Sequence, residues 1–139
     1  MRFPKPCFTD TQRTLGFGDR WGLAGAGHIQ ASYRCTFMGA FAQQHVDEIR
    51  GTMRKPSDVV IAARQALEKA RYPNRWAANI DGIRSVDDIE WVKDAGFSLF
   101  TVDVSQEVFS DADDLSKDAL ASLCEGLSKE GIIQWDALC

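Results

Sequence analysis

The sequence lacks any long run of apolar residues. A membrane-spanning helix requires about 20 predominantly apolar residues, so we expect no membrane span. The apolar core of a secretory signal is also missing from the start of the chain, which reads MRFPKPCFTD. The protein is therefore expected to be soluble and cytoplasmic.

The sequence also lacks a basic cluster. Its 16 lysines and arginines are scattered, and the formal net charge is −4. Proteins that bind nucleic acids usually carry basic patches that neutralise phosphate groups. We therefore do not expect nucleic acid as a partner.

The four cysteines include no closely spaced pair of the CxxC type. A zinc ribbon, a redox motif and an extracellular disulfide framework are therefore not indicated. Cys35 and Cys124 lie among apolar residues, and we predict that both are buried, unreactive thiols.

The overall composition is typical of a globular domain, because 45% of the 139 residues are hydrophobic and 26% are charged. No linker or low-complexity tract interrupts the chain. We interpret residues 1–12 as an irregular lead-in and residues 13–139 as a single β/α domain, which we expect to be part of a larger barrel.

The segment 76–105 predicts a complete strand, helix and strand. The apolar run Trp76–Ile80 is followed by Asp81, and the run Phe97–Val102 is followed by Asp103. Both runs are typical of buried strands. The connection is long enough to join parallel strands, and such crossovers are almost always right-handed. Both carboxylates are therefore expected at the same sheet edge, where α/β proteins place their chemistry.

A helix is predicted between these two strands. Ser85 precedes Asp88 by three residues, which is a variant of the capping box, and Gly96 is expected to end the helix. Apolar residues recur at a spacing of three and predict a buried stripe: Val86, Ile89, Val92 and Ala95.

The same alternation extends over the rest of the chain. Further strands are predicted at 13–18, at 36–42 and from residue 132 onward; further helices are predicted at about 27–33, 46–53, 57–70 and 111–130. Within these helices, Met53 is expected on a buried face and Ser57 at an N-cap. The fold class is therefore α/β, with about four β/α units plus the start of a fifth strand.

This count corresponds to about half of a (β/α)8 barrel, which typically contains ~250 residues. A partial barrel leaves strand edges uncovered, and uncovered edges favour association. We therefore expect self-association, a missing carboxyl-terminal half, or closure as a small layered protein.

The Gly-Asp-Arg turn after the first predicted strand is a candidate ligand-binding segment. Asp19 and Arg20 follow Gly18, so backbone amides and a guanidinium group are available to an anionic ligand. A tight turn with a local pair between Asp19 and Arg20 explains the same pattern without a ligand.

A second polar cluster follows the strand predicted at 36–42. Gln43 and Gln44 carry amides that can both donate to and accept from sugar hydroxyls, and His45 can act as a base or a metal ligand. The alternative is that these side chains cap the next helix or face solvent.

Three segments carry a family resemblance: LGFGDRWGLA, FAQQHVDEI and DDIEWVKDAGFSLFTVDVS. In this order they resemble the amino-terminal part of the tagaturonate epimerase family of bacterial hexuronate metabolism, over about residues 14–108. The resemblance implies a metal-dependent (β/α)8-type enzyme that inverts a carbinol centre of a keto-hexuronate.

The resemblance also implies roles for individual residues. Asp81 and Asp103 are the implied catalytic residues, and Asp81 is also the implied ligand of a divalent metal, Mn²⁺, Ni²⁺ or Zn²⁺. The implied binding residues for the sugar-acid substrate are Asp19, Arg20, Gln43 and Gln44.

The chain departs from the family pattern at one point. Where that pattern reads Asp-Ala-Asp-His and then a basic residue, this chain has Asn79, Ile80, Asp81 and Gly82, with Arg84 nearby. The first Asp and the His are absent. Three hypotheses therefore stand: a truncated or diverged epimerase, a sugar-phosphate aldolase or lyase of barrel type, and a non-catalytic remnant or interaction module.

Overall fold

The structure, a computed structural model, describes residues 4–7, 13–106, 108 and 111–129. The chain forms two compact units, Met1–Asp103 and Val104–Cys139. The fifth strand predicted from residue 132 lies outside the described residues, and the single domain predicted over 13–139 stays a prediction. In the described part, no helix is long and apolar enough to cross a membrane.

The first unit is built on a parallel sheet. Its strands are β1 (Thr14–Gly18), β2 (Met38–His45), β3 (Trp76–Ala77), β4 (Asn79–Ile83) and β5 (Leu99–Val102). The strand order is β1-β2-β4-β5, and β3 pairs with β2. Every pairing between these strands is parallel. The predicted α/β class with parallel strands is therefore confirmed.

Helices connect these strands. In the first unit they are α1 (Gly25–Ser32), α2 (Val46–Gly51), α3 (Pro56–Lys69) and α4 (Val86–Val92). The second unit contains a 3₁₀ turn (Ala112–Asp114) and α5 (Lys117–Lys129), whereas one continuous helix was predicted from 111 to 130.

The hydrophobic core lies between the sheet and the helices of the first unit. Trp76, Ile80 and Leu67 are fully buried in it, together with Val46 from α2. The indole nitrogen of Trp76 donates a hydrogen bond to the carbonyl oxygen of Pro4 at 3.1 Å. Pro4, within the predicted lead-in, is therefore attached to the core through Trp76.

Two strands extend further than the sequence predicts. β2 continues to His45 and β4 continues to Ile83, because His45 pairs with Asp81 in the sheet. Asp81 therefore lies within its strand, whereas Asp103 directly follows β5 as predicted. The prediction that β5 is buried is wrong, since Val102 is 59% exposed on this edge strand.

Helix α4 confirms its predicted start but not its predicted buried stripe. Ser85 and Asp88 form a reciprocal capping box. Val86 is 72% exposed and Ile89 is 43% exposed. The buried side chains of this short helix are instead Asp88 and Val92, which are four residues apart and share a face.

Three smaller predictions are also corrected. Met53 is 92% exposed because α2 already ends at Gly51. Helix α3 begins at Pro56 with Lys55 at the N-cap, rather than with Ser57 there. Cys35 is exposed because it lies in the turn after α1.

Asp88 joins α4 to the rest of the first unit. Its Oδ2 accepts the backbone N–H groups of Arg84 at 2.9 Å and Ser85 at 3.1 Å, and its Oδ1 accepts Arg50 at 2.5 Å. The Arg50 guanidinium also stacks over the ring of Trp91, 4.9 Å from its centroid. The backbone N–H of Arg84, followed by Arg50 and Ser85, lowers the pKa of Asp88 to about 2.

Asp88→Asn is expected to lower the free energy of unfolding by about 1–2 kcal/mol at pH 7. Because the folded pKa lies below the ordinary value of 3.8, this stabilisation is complete above pH 4 and disappears as the pH falls toward 2. Urea unfolding between pH 2 and pH 7 measures the difference. The matched control is Asp87→Asn, an exposed change in the same helical turn; an equal loss in both variants would contradict the role of Asp88.

Candidate active site

A row of polar side chains crosses one face of the sheet. The two oxygens of Asp81 each accept an amide: Oδ2 accepts Nε2 of Gln43 at 2.8 Å, and Oδ1 accepts Nδ2 of Asn79 at 2.5 Å. Thr101 then donates its hydroxyl to Oδ1 of Asn79 at 3.2 Å. We call these four residues on β2, β4 and β5 the polar row. The carboxylate of Asp81 is thereby fixed in orientation while its side chain remains partly exposed.

Gly16 on β1 makes room for the end of this row. A Cβ atom at this position would overlap the amide group of Gln43. The amide of Gln43 therefore lies directly over the backbone of β1, and a larger residue at position 16 would push it away from Asp81.

Gln44 does not join Gln43 in the polar row. Successive residues of a strand point to opposite faces, and Gln44 is only 2% exposed on the face away from Asp81. Its Nε2 donates to Oε2 of Glu48 on α2. The two neighbouring glutamines therefore cannot hold one sugar from the same side.

Asp19 and Arg20 lie directly after β1, but each is bound by other parts of the chain. The carboxylate of Asp19 accepts three backbone N–H groups, from Gly22, Leu23 and Ala24, at 2.7–3.0 Å. Nη2 of Arg20 contacts Oε1 of Glu48 at 2.5 Å. This hydrogen bond is the main reason why the pKa of Glu48 is lowered. Arg20 thus pairs with Glu48 and not with Asp19, its partner in the local alternative.

Asp103 lies at the end of β5 in an ion-pair chain. Nε of Arg84 contacts Oδ2 of Asp103 at 2.7 Å, and Nη1 of Arg84 contacts Oδ2 of Asp47 at 3.1 Å. The hydrogen bond that Arg84 donates to Asp103, with the nearby charge of Asp47, raises the pKa of Arg84. The ends of β2, β4 and β5 are thus connected through charged side chains.

His45 lies between this ion-pair chain and the polar row. It is the last residue of β2 and the N-cap of α2, where its Nδ1 accepts the backbone N–H of Asp47 at 3.1 Å. Its ring lies against Gly82, where an added Cβ atom would overlap it. Gly82 has φ +74°, at the point where the pairing of β4 with β5 shifts register. Helix capping, one of the alternatives considered for His45 beside a base or a metal ligand, is therefore observed.

A cavity of about 450 Å³ lies on the other side of β2, between α1 and α3. Most of its lining consists of alanine, valine, isoleucine, leucine and phenylalanine side chains, and the polar or charged residues that border it are Asp19, Gln30, Gln43, Gln44, Arg54 and Lys69. An apolar wall does not satisfy the hydroxyls of a sugar acid. The polar row is therefore the better candidate for a sugar-binding surface.

The donor set around Asp81 does not by itself form a metal centre. Among the residues that the structure describes, no three His, Cys, Asp or Glu side chains converge in a way that could hold a metal ion. Both oxygens of Asp81 already accept amide hydrogens. A metal held by Asp81 would therefore find no pair of further His, Cys, Asp or Glu ligands converging on it among the described residues.

Three residues of this region were not predicted from the sequence. Asn79 and Thr101 share the open face with Asp81, and Glu48 holds both Arg20 and Gln44. Strand alternation was the available signal for Asn79, which lies two residues from Asp81. The contacts of Glu48 depend on tertiary packing, so no local pattern could indicate them.

The fold and this site define an α/β protein whose parallel sheet carries polar and charged groups at the carboxyl ends of its strands. The sequence matches the family described as UxaE, tagaturonate epimerase, over residues 1–136. The chain therefore belongs to the tagaturonate epimerase family. The resemblance noted over residues 14–108 is confirmed and extends over nearly the whole chain.

Individual relatives agree with this assignment. The chain is 30% identical over 104 residues to the tagaturonate/fructuronate epimerase of Thermotoga maritima, covering 75% of this chain and 22% of that protein. It resembles the fructuronate-tagaturonate epimerase UxaE of Cohnella laeviribosi with two glycerols bound, with a TM-score of 0.79 and 30% identity, over 90% of this chain and 26% of that one. The native structure of that enzyme gives a TM-score of 0.77. The chain thus spans about a quarter of the length of these relatives.

Proposed function

We propose that this chain forms part of the active site of an enzyme that epimerises a keto-hexuronate, as its relatives' names describe for tagaturonate and fructuronate. The observation that carries the proposal is the carboxylate of Asp81, oriented by Gln43 and Asn79 on the open face of the sheet. A fixed carboxylate beside amide groups is suited to handle a proton on a substrate rich in hydroxyls.

In this proposal the carboxylates of Asp81 and Asp103 have different roles. Asp81 acts as the base that takes a proton from the sugar acid, because it alone stands within the polar row. Asp103 acts as the second catalytic group, and Arg84 holds it in place at 2.7 Å. If the centre is inverted by removing a proton from one side and returning a proton to the other, an acid–base group is needed on each side, so two groups on different strands are appropriate.

The proposed substrate-binding residues act at different distances from the sugar. Gln43 contacts hydroxyl groups directly. Arg20, whose side chain is 56% exposed, binds the substrate carboxylate in exchange for Glu48. Gln44 and Asp19 act indirectly, since Gln44 positions Glu48 and Asp19 holds the loop that follows β1.

We further propose that the parallel sheet is one portion of a (β/α)8-type barrel, completed by self-association or by the missing part of the longer protein. The open face that bears the polar row would then point into the barrel, where active sites of this fold lie. The divalent metal implied by the resemblance belongs to this completed form, with Asp81 as one ligand.

A chimera tests the proposal directly. The segment of the Thermotoga maritima epimerase that aligns with this chain is replaced by the 139-residue sequence, and the interconversion of tagaturonate and fructuronate is measured. We expect the chimera to retain turnover and to bind Mn²⁺, Ni²⁺ or Zn²⁺ in a calorimetric titration, and the isolated chain to bind these ions more weakly. A folded chimera without detectable turnover would contradict the proposal.

A second candidate function is that of a non-catalytic remnant. It is favoured by the absence of a three-ligand metal cluster among the described side chains and by the short share of the relatives' length. An inactive chimera that still binds fructuronate would support this candidate, because a remnant can keep the binding surface without the chemistry.

A further inference from the structure

His45 is held at only one of its two ring nitrogens. Its Nδ1 accepts the backbone N–H of Asp47 at 3.1 Å, so in the neutral ring the proton resides on Nε2. The carboxylate of Asp47 also faces Nδ1, at 3.7 Å. Within the part of the chain that the structure describes, no acceptor is hydrogen-bonded to Nε2. His45 therefore presents an N–H donor that the fold itself does not use.

The position of this donor is fixed by two strands. His45 and Asp81 are register partners in the parallel pairing of β2 with β4, and such partners project from the same face of a sheet. Nε2 lies over Gly82, in the space that a side chain at position 82 would occupy. The donor is therefore next to the polar row, and its side chain is 34% exposed.

We infer that His45 is a further substrate-binding residue, whose Nε2–H donates a hydrogen bond to a hydroxyl or carbonyl oxygen of the keto-hexuronate held at Asp81 and Gln43. This inference rests on the proposed function, because it assigns the ligand of the same site. Glycine at position 82 is then required by the binding surface, since any side chain there would displace the imidazole.

Two substitutions separate this role from helix capping. Asparagine places an oxygen near the position of Nδ1, and it is a favourable N-cap residue, so His45→Asn keeps the cap and removes the Nε2 donor. Glutamine places an amide nitrogen near the position of Nε2, so His45→Gln keeps the donor and weakens the cap. The two variants therefore predict opposite results for binding and stability.

The experiment uses the 139-residue chain with fructuronate as the probe, observed through the imidazole ¹⁵N resonances and the amide spectrum. We expect His45 to show the Nε2-protonated tautomer and its Nε2 resonance to shift on fructuronate addition. His45→Asn should keep its urea midpoint and weaken binding about 3- to 10-fold. His45→Gln should unfold at lower urea and bind within about 2-fold of the natural chain.

The possible outcomes are distinguishable. Unchanged fructuronate binding by His45→Asn, with binding by the natural chain intact, overturns the inference and leaves the proposed function standing. Absence of fructuronate binding by the natural chain overturns the inference, whereas the proposed function is overturned by a folded chimera without detectable turnover. A ring protonated at Nδ1 also overturns the inference, because the donor would then point toward the helix.

Discussion

Gly82→Ala is expected to lower the free energy of unfolding by about 2–5 kcal/mol. A left-handed conformation costs an alanine about 1–2 kcal/mol, and Gly82 has φ +74°. The new methyl group would also overlap the ring of His45, and forced overlap in a packed site typically costs about 1–3 kcal/mol. Urea unfolding followed by circular dichroism measures the sum.

The same substitution made in a His45→Ala chain separates these two contributions. In a His45→Ala chain the overlap is absent, so Gly82→Ala should cost only the backbone part, about 1–2 kcal/mol. The difference between the two backgrounds is the energy of the contact between position 82 and the ring. If both backgrounds lose the same stability, the imidazole does not fill the space above Gly82.

Asp81→Asn is expected to reduce turnover by the chimera at least about 100-fold, which is the usual contribution of a positioned acid or base. The substitution keeps the size of the side chain and removes its charge. It also leaves one of the two amide donors, from Gln43 or Asn79, without a carboxylate oxygen. We therefore expect KM to rise as well, because Gln43 loses its fixed orientation.

The matched control is Asp94→Asn in the turn after α4, at the opposite end of the strands from the polar row. Turnover of this control should stay within about 2-fold of the unmodified chimera, which is less than 1 kcal/mol in activation free energy. Thermal unfolding of both variants shows whether they are folded. A folded Asp81→Asn chimera with nearly full turnover would mean that Asp81 orients neighbouring amides and does not transfer a proton.

The sequence was sufficient to predict the order of strands and helices. Apolar runs predicted β1, β5 and one strand over Trp76–Ile80, which the structure divides into β3 and the start of β4. The pair Ser85 and Asp88 predicted the start of α4, because capping depends only on residues three apart. The parallel pairing of β4 with β5 followed from the length of their connection. These features depend on residues that are close together in the sequence, so the sequence pattern alone predicts them.

The ends of the strands could not be predicted in the same way. Gln43 and Gln44 were expected to follow a strand, yet both lie within β2, because backbone pairing with β4 extends the strand through polar residues. The partners of Arg20 and Arg84 also come from distant segments. Such contacts exist only after the sheet has formed, so the candidate residues were found while their partners were not.

The contact of Arg50 with Trp91 gives the first unit an optical probe that it carries naturally. Trp91 lies on the surface of α4 beneath the guanidinium of α2, whereas Trp76 is enclosed in the core. The fluorescence emission of Trp91 therefore depends on whether α2 and α4 remain packed together. The emission of Trp76 depends on whether water enters the hydrophobic core. Replacing Trp91 or Trp76 by phenylalanine, one at a time, would let fluorescence distinguish the separation of α2 from α4 from the unfolding of the hydrophobic core.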